Sequence, residues 1–184
     1  MSDGTRTSVI RLSGVLILLL AFGSALLPMA SHIRAATVIG LLLTLAGAIE
    51  LAAVVARRGH HISAGLAAAA SLAAGLRLAL DPGANFFTVL NLVILWLVVR
   101  SAALLVTSWH SKRPLCNWVY LAVIVDFLLA VLLLGGLPVA VLVMGIFGPT
   151  TDIVATFAWI FAASFIAAGL LLIAAAPLEA RETD

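Results

Sequence analysis

Charge is what this chain has least of: Asp, Glu, Lys and Arg make up 10% of its 184 residues, where soluble domains carry roughly a quarter. Hydrophobic residues account for 64%, so there is too little polar side chain to cover a water-facing exterior. A soluble globular fold is thereby excluded, and lipid is the solvent that fits. The formal net charge is only +2, and the basic residues stand singly or in pairs. With no basic stripe, nucleic acid is excluded as a partner. Cys116 is the single cysteine, which rules out an intrachain disulfide and any CxxC redox or zinc site; we read it as an inert thiol near a membrane interface.

Catalytic signatures are also missing. There is no HExxH, no GxSxG elbow, no GxxxxGK[ST] phosphate loop and no aspartate-rich helix of the kind that holds metals for head-group transfer. His32, His60, His61 and His110 are dispersed, and the adjacent pair has no third ligand beside it, so no metal site is expected. The sequence calls for no cofactor and for no enzymatic activity.

What is present is a series of long apolar runs, at about 12–28, 35–56, 62–80, 86–108, 118–137 and 151–175. Each approaches the roughly 20 residues that a helix needs to cross the hydrocarbon layer. Strands are excluded, because a membrane barrel needs alternating polar and apolar residues and runs such as 15–20 or 66–70 do not alternate. The expected fold is therefore all-α, a polytopic bundle of about six helices. It comprises a cytoplasmic segment 1–11, a six-span domain 12–175 and a cytoplasmic tail 176–184. Arg6 and Arg11 before an apolar run also resemble a secretory signal. We read the segment as a retained first helix, because another span follows it and because it shares the repeat described next.

Of the six prolines, all but Pro149 read as punctuation: Pro28, Pro82 and Pro138 close spans, and Pro114 and Pro177 lie in a connection or tail. The apolar piece 139–147 before Gly148-Pro149 reads either as the start of a long kinked helix or as a short interfacial segment. Pro28, Pro82 and Pro138 recur at near-equal intervals, ending the words GSALLP, RLALDP and LLGGLP. Three helical hairpins in series would produce that period.

Six spans place the N-terminus, the 57–61 and 109–117 loops and the C-terminus on one side, with Arg6, Arg11, Arg57, Arg58, Lys112, Arg113 and Arg181. By the positive-inside rule that side is cytoplasmic. Trp109 and Trp118 flank the inner loop as an aromatic belt would.

Helices in lipid associate through close backbone approach and polar contacts. Ala67, Ser71 and Gly75 form a small-residue stripe on the third span, expected at the bundle centre, and Gly40 with Thr44 and Gly47 give the second span a matching face. The same composition is also generic filler in an alanine-rich chain.

Glu50, Arg100 and Asp126 lie inside spans, where an unpaired ion at the bilayer centre costs about 2.5–3.5 kcal/mol. Counted from the nearest inner boundary, all three sit roughly 10–14 Å deep, so one cluster with Arg100 between two carboxylates is expected. It reads either as a structural ion pair that fixes which helices meet, or as a protonatable site for transport or pH sensing. At the other end Arg34, Arg77, Asp81 and Asp152 form an expected interfacial network. Partners are the bilayer itself and either a second copy or other membrane proteins.

The fifth span, WVYLAVIVDFLLAVLLLGGLP at 118–138, with Trp118, Asp126, Gly136 and Pro138, resembles the HdeD-like acid-resistance membrane proteins of bacteria. Gly14, Gly23, Pro28, Gly40 and Gly47 in the first hairpin, and Arg100-Ser101 in the fourth span, are similar to that family's pattern over about 8–175. Gly148-Pro149 departs from it. The resemblance implies a six-span inner-membrane protein connected with acid stress, and it carries over no catalytic residues. Two further functions stay open on the residues: a small proton-coupled permease using Glu50, Arg100 and Asp126, or a membrane scaffold using the small-residue faces.

Overall fold

In the computed structural model, residues 3–29, 35–57, 61–81, 83–110, 115–135, 139–149 and 151–181 are described here. They form seven α-helices: α1 (Asp3–Leu26), α2 (Ala35–Ala56), α3 (His61–Ala79), α4 (Phe86–His110), α5 (Leu115–Leu134), α6 (Val139–Phe147) and α7 (Asp152–Arg181). All but α6 are long and apolar enough to cross a membrane. At nine residues, α6 spans roughly 13 Å, less than half the hydrocarbon thickness.

Local signals set most boundaries. Pro28 sits in the 3-10 turn Leu27–Met29 that ends α1. Asn85 caps α4, its Oδ1 accepting from the Thr88 amide at 2.9 Å. Gly148 adopts φ 84°, a left-handed conformation open to glycine without cost. It turns the chain out of α6 before Pro149, so 139–147 is a separate short helix and not the opening of a long kinked one. Asp152 then opens α7, its charge favourable at a helix N-terminus.

Two ends differ from expectation. α1 is already helical from Asp3, and α7 continues to Arg181 with Pro177 inside it. Pro177 is thus not in an irregular tail: hydrophobicity marks where lipid ends, whereas backbone hydrogen bonding continues past that level.

The six spans close into a ring in the order α1, α2, α3, α4, α5, α7, with the closest pairings α2 with α3 and α1 with α7. Because successive spans alternate in direction, every neighbour in this ring is antiparallel. α7 also reaches α2, α4 and α6. It is the enclosed member, with 67% of its membrane window buried against 39% for α3; the central span is α7, and not the third span that its small residues suggested. The physical reason is bulk. Phe157, Phe161 and Phe165 are fully buried at four-residue spacing and form a ladder with centroids 6.2 and 6.0 Å apart. Trp96 of α4 joins it 5.5 Å from Phe161.

Small residues bring neighbouring helices together. A Cβ added at Gly47 would lie 2.6 Å from the Leu72 amide nitrogen, and one at Gly14 would lie 2.8 Å from the Gly169 carbonyl oxygen. Ser24 of α1 donates to the Ala158 carbonyl of α7 at 2.7 Å, and Thr107 of α4 to Ser63 of α3 at 2.8 Å. In lipid such contacts hold helices where hydrophobic burial cannot.

Candidate functional site: a buried charge cluster

Each spanning helix presents one apolar stripe to the interior, and the ionisable residues occupy positions in those stripes. On α2 the stripe runs Ile39, Leu43, Ala46, Glu50, Ala53; on α4 Val89, Val93, Trp96, Arg100, Leu104; on α5 Val119, Ala122, Asp126, Ala130, Leu133. The i, i+3/i+4 spacing aims all three charges inward, and none faces lipid. Glu50 is 9% exposed, Arg100 3% and Asp126 1%.

The structure brings the three together. Arg100 Nη2 donates to Glu50 Oε1 at 2.5 Å. Its Nη1 stands 3.5 Å from Asp126 Oδ2 and donates to Ser164 Oγ at 2.7 Å. Ser164 Oγ in turn donates to Asp126 Oδ1 at 2.6 Å. The planar guanidinium fork serves the two sides of the cluster from two separate nitrogens, Nη2 toward Glu50 and Nη1 toward Ser164 and Asp126. Trp96 lies beneath it, with Arg100 Cζ 5.6 Å from the ring centroid. Trp96 Nε1 donates to Ser71 Oγ at 2.9 Å, and Ser71 donates to the Ala67 carbonyl at 3.2 Å. One polar network therefore links α2, α3, α4, α5 and α7.

Compensation within it is uneven. Asp126 Oδ2 and Arg100 Nε are buried without a hydrogen bond among the described residues, so Asp126 Oδ2 relies on the 3.5 Å ion pair alone. By charge count, two carboxylates and one guanidinium leave a net of minus one in the ionised cluster. A single bound proton neutralises it.

A cavity of about 40 Å³ adjoins the cluster, lined by Glu50 and Arg100, by Ala67, Leu104 and Ala168, and by Arg57 just past the end of α2. Such a volume holds a water or two, since one needs about 10–15 Å³ and polar partners. Glu50 and Arg57 are seven residues apart, roughly 10 Å along the helix. The cavity thus leads from the buried carboxylate toward the end of the bundle that carries both termini.

The remaining expected site residues fall as follows. Gly40, Gly47 and Gly75 lie buried on the α2–α3 interface, whereas Ala67 is buried against Leu104, Ala122 and Leu171, and Ser71 against Trp96. Arg77 and Asp81 pair at 3.1 Å, both partly exposed. Asp152 is exposed at the start of α7, and no ion pair among the described residues joins it to them. Arg34 lies outside the described residues. Cys116 touches the Ser108 carbonyl at 3.5 Å. No group of three metal-ligating side chains occurs among the described residues.

Ser164 and Trp96 are the cluster's unforeseen members. A lone serine in FAASFIAAG, and a tryptophan four residues before an intramembrane arginine, are the signals that point to them.

These features define a multi-pass α-helical membrane protein with a buried ionic centre. No protein-family model, no curated protein and no solved structure matches the chain.

Proposed function

We propose that this chain is a non-enzymatic protein of the bacterial inner membrane, with cytoplasmic termini, that responds to acid by protonation of the Glu50–Arg100–Asp126 cluster. The reading agrees with its resemblance to the HdeD-like acid-resistance proteins. One observation carries it: a buried cluster with one carboxylate in excess lies against a cavity large enough for water. A pair that served only to join helices is complete with one carboxylate for the arginine, and it would gain nothing from a cavity large enough for water beside it. Here the excess charge gives a proton something to neutralise, and the cavity gives it a way in. Protonation loosens the hold of Arg100 on one carboxylate, and so on one of the helices α2 and α5, which is a two-state element that pH biases.

The test is survival of an acid challenge by bacterial cells expressing the full chain. Glu50→Gln or Asp126→Asn, each of which fixes the cluster in its neutral, acid form, should abolish the dependence of protection on pH, while the amount in the membrane is unchanged. Protection that varies with pH in both variants as it does in the unmodified chain would overturn the reading. A proton-coupled permease would use the same residues. Proteoliposomes containing a pH-sensitive dye separate the two, because sustained proton flux belongs to the permease and a single uptake event to the sensor.

A further inference from the structure

At the end of the bundle away from the termini, a groove of about 340 Å³ opens between α3 and α4, lined by Arg77, Leu78, Ala84, Thr88, Asn91, Leu92 and Leu95. Its lining is mainly apolar, with Arg77, Thr88 and Asn91 as the polar members and Leu92 and Leu95 deepest in the span. Among the described residues, Arg77 spends one nitrogen, Nη1, on Asp81. Asn91 is exposed on a membrane span and makes no hydrogen bond to a described residue. It stands five residues inside α4, roughly 7 Å below the helix start, within the apolar span Phe86–Trp109. An amide facing hydrocarbon with no partner is costly.

The flanks of the groove show what medium it opens into. Leu76 of α3, Leu80 just past its end, and Phe87 and Leu95 of α4 are exposed at 49%, 81%, 71% and 59%. Large apolar side chains exposed beside both walls suit an opening that faces lipid, and a free aqueous anion would have to cross them. We propose that this groove binds a phospholipid, its phosphate held by the Arg77 guanidinium and the Asn91 amide, and one acyl chain lying along Leu92 and Leu95. Cation to phosphate at the rim and aliphatic surface below match the two ends of such a molecule. Asp81 beside Arg77 keeps the guanidinium oriented and limits the strength of the site.

Native mass spectrometry of the full-length protein, released from detergent with defined additives, tests this directly. With added phosphatidylglycerol the unmodified chain should retain one lipid per protein, and with diacylglycerol of the same chains, or with inorganic phosphate alone, none. Arg77→Gln should weaken retention by about tenfold, and Asn91→Leu by a smaller factor. Asp81→Asn, which frees Arg77, should leave retention equal or stronger, whereas a merely structural Arg77–Asp81 pair would make the Arg77 and Asp81 variants behave alike. Thermal unfolding of each variant checks the fold, and Asn91→Leu alone suffices if Arg77→Gln does not accumulate. Four results would overturn the proposal: unchanged retention in both Arg77→Gln and Asn91→Leu, equal retention of diacylglycerol, binding of free phosphate in place of lipid, or conversion of a dimer to a monomer by Asn91→Leu with lipid unaffected.

Discussion

Gly40 and Gly75 face each other so closely that a Cβ added to either would fall 2.8 Å from the other's carbonyl oxygen. Backbone cannot yield as a flexible side chain can, so this contact sets the distance between α2 and α3, and with it the position of Glu50 one helix face further along. Gly75→Ala should therefore destabilise the bundle by about 1–3 kcal/mol, the range for overpacking a filled site. Gly23→Ala, where nothing lies within 4 Å, should be close to neutral. Thermal unfolding in a single detergent compares the two; equal melting temperatures would show that the α2–α3 spacing is not fixed by glycine.

Arg100 is the hub of the buried network, and its loss differs in kind from the loss of either carboxylate. Arg100→Gln leaves Glu50 and Asp126 buried without a counter-ion, and should cost about 3–5 kcal/mol or prevent accumulation altogether. Glu50→Gln and Asp126→Asn each leave one carboxylate for one guanidinium, so both should fold at least as well as the unmodified chain. Membrane-inserted yield and unfolding temperature read the contrast.

Ser164 joins Arg100 to Asp126 and has nothing else to do in the site. Ser164→Ala removes one acceptor from Nη1 and the donor to Oδ1, and the loss should be about 1–3 kcal/mol from the two buried groups left unsatisfied. It should also change the pH at which the cluster takes up a proton, a readout that ordinary loss of packing would leave in place. Ser164→Thr, which keeps the hydroxyl, should restore the pH profile.

Trp96 couples the centre to α3 through Ser71. Trp96→Phe keeps an aromatic face under Arg100 but loses the Nε1 bond to Ser71 Oγ, at about 1 kcal/mol. Comparing its intrinsic fluorescence with that of the unmodified chain isolates the buried Trp96 from the exposed Trp109, Trp118 and Trp159. An acid-induced change should be present in the unmodified protein and absent in Trp96→Phe.

Much of this arrangement is legible in the chain, because bilayer thickness imposes one length on every span. The six apolar runs mark the six spans, and miss the helix ends chiefly at Asp3 and Arg181, where the backbone stays helical beyond the apolar stretch. Depth along each helix brings Glu50, Arg100 and Asp126 to one level, since helical rise converts sequence offset directly into distance. Partner choice is less legible. Small residues mark α3 as a close neighbour of α2, yet the enclosed span is α7, whose phenylalanine ladder reads in sequence like any other apolar run. Ser164 escapes notice for a related reason: a serine in a span is ordinarily satisfied by its own helix, as Ser71 and Thr44 are through the carbonyl one turn back. Only the approach of α4 and α5 turns Ser164 outward to a guanidinium and a carboxylate. The α6 segment was ambiguous because hydrophobicity alone does not fix direction, and the left-handed turn at Gly148 decides it.

The measurement closest to the centre of this account is an infrared difference spectrum of the full-length protein in lipid, taken between neutral and acid pH. A carboxylic-acid C=O band from a buried site should appear on acidification of the unmodified chain. It should be lost in both Glu50→Gln and Asp126→Asn, because either substitution leaves no excess negative charge to neutralise. Absence of that band from the unmodified protein, or its persistence in both variants, would contradict the protonation of this cluster.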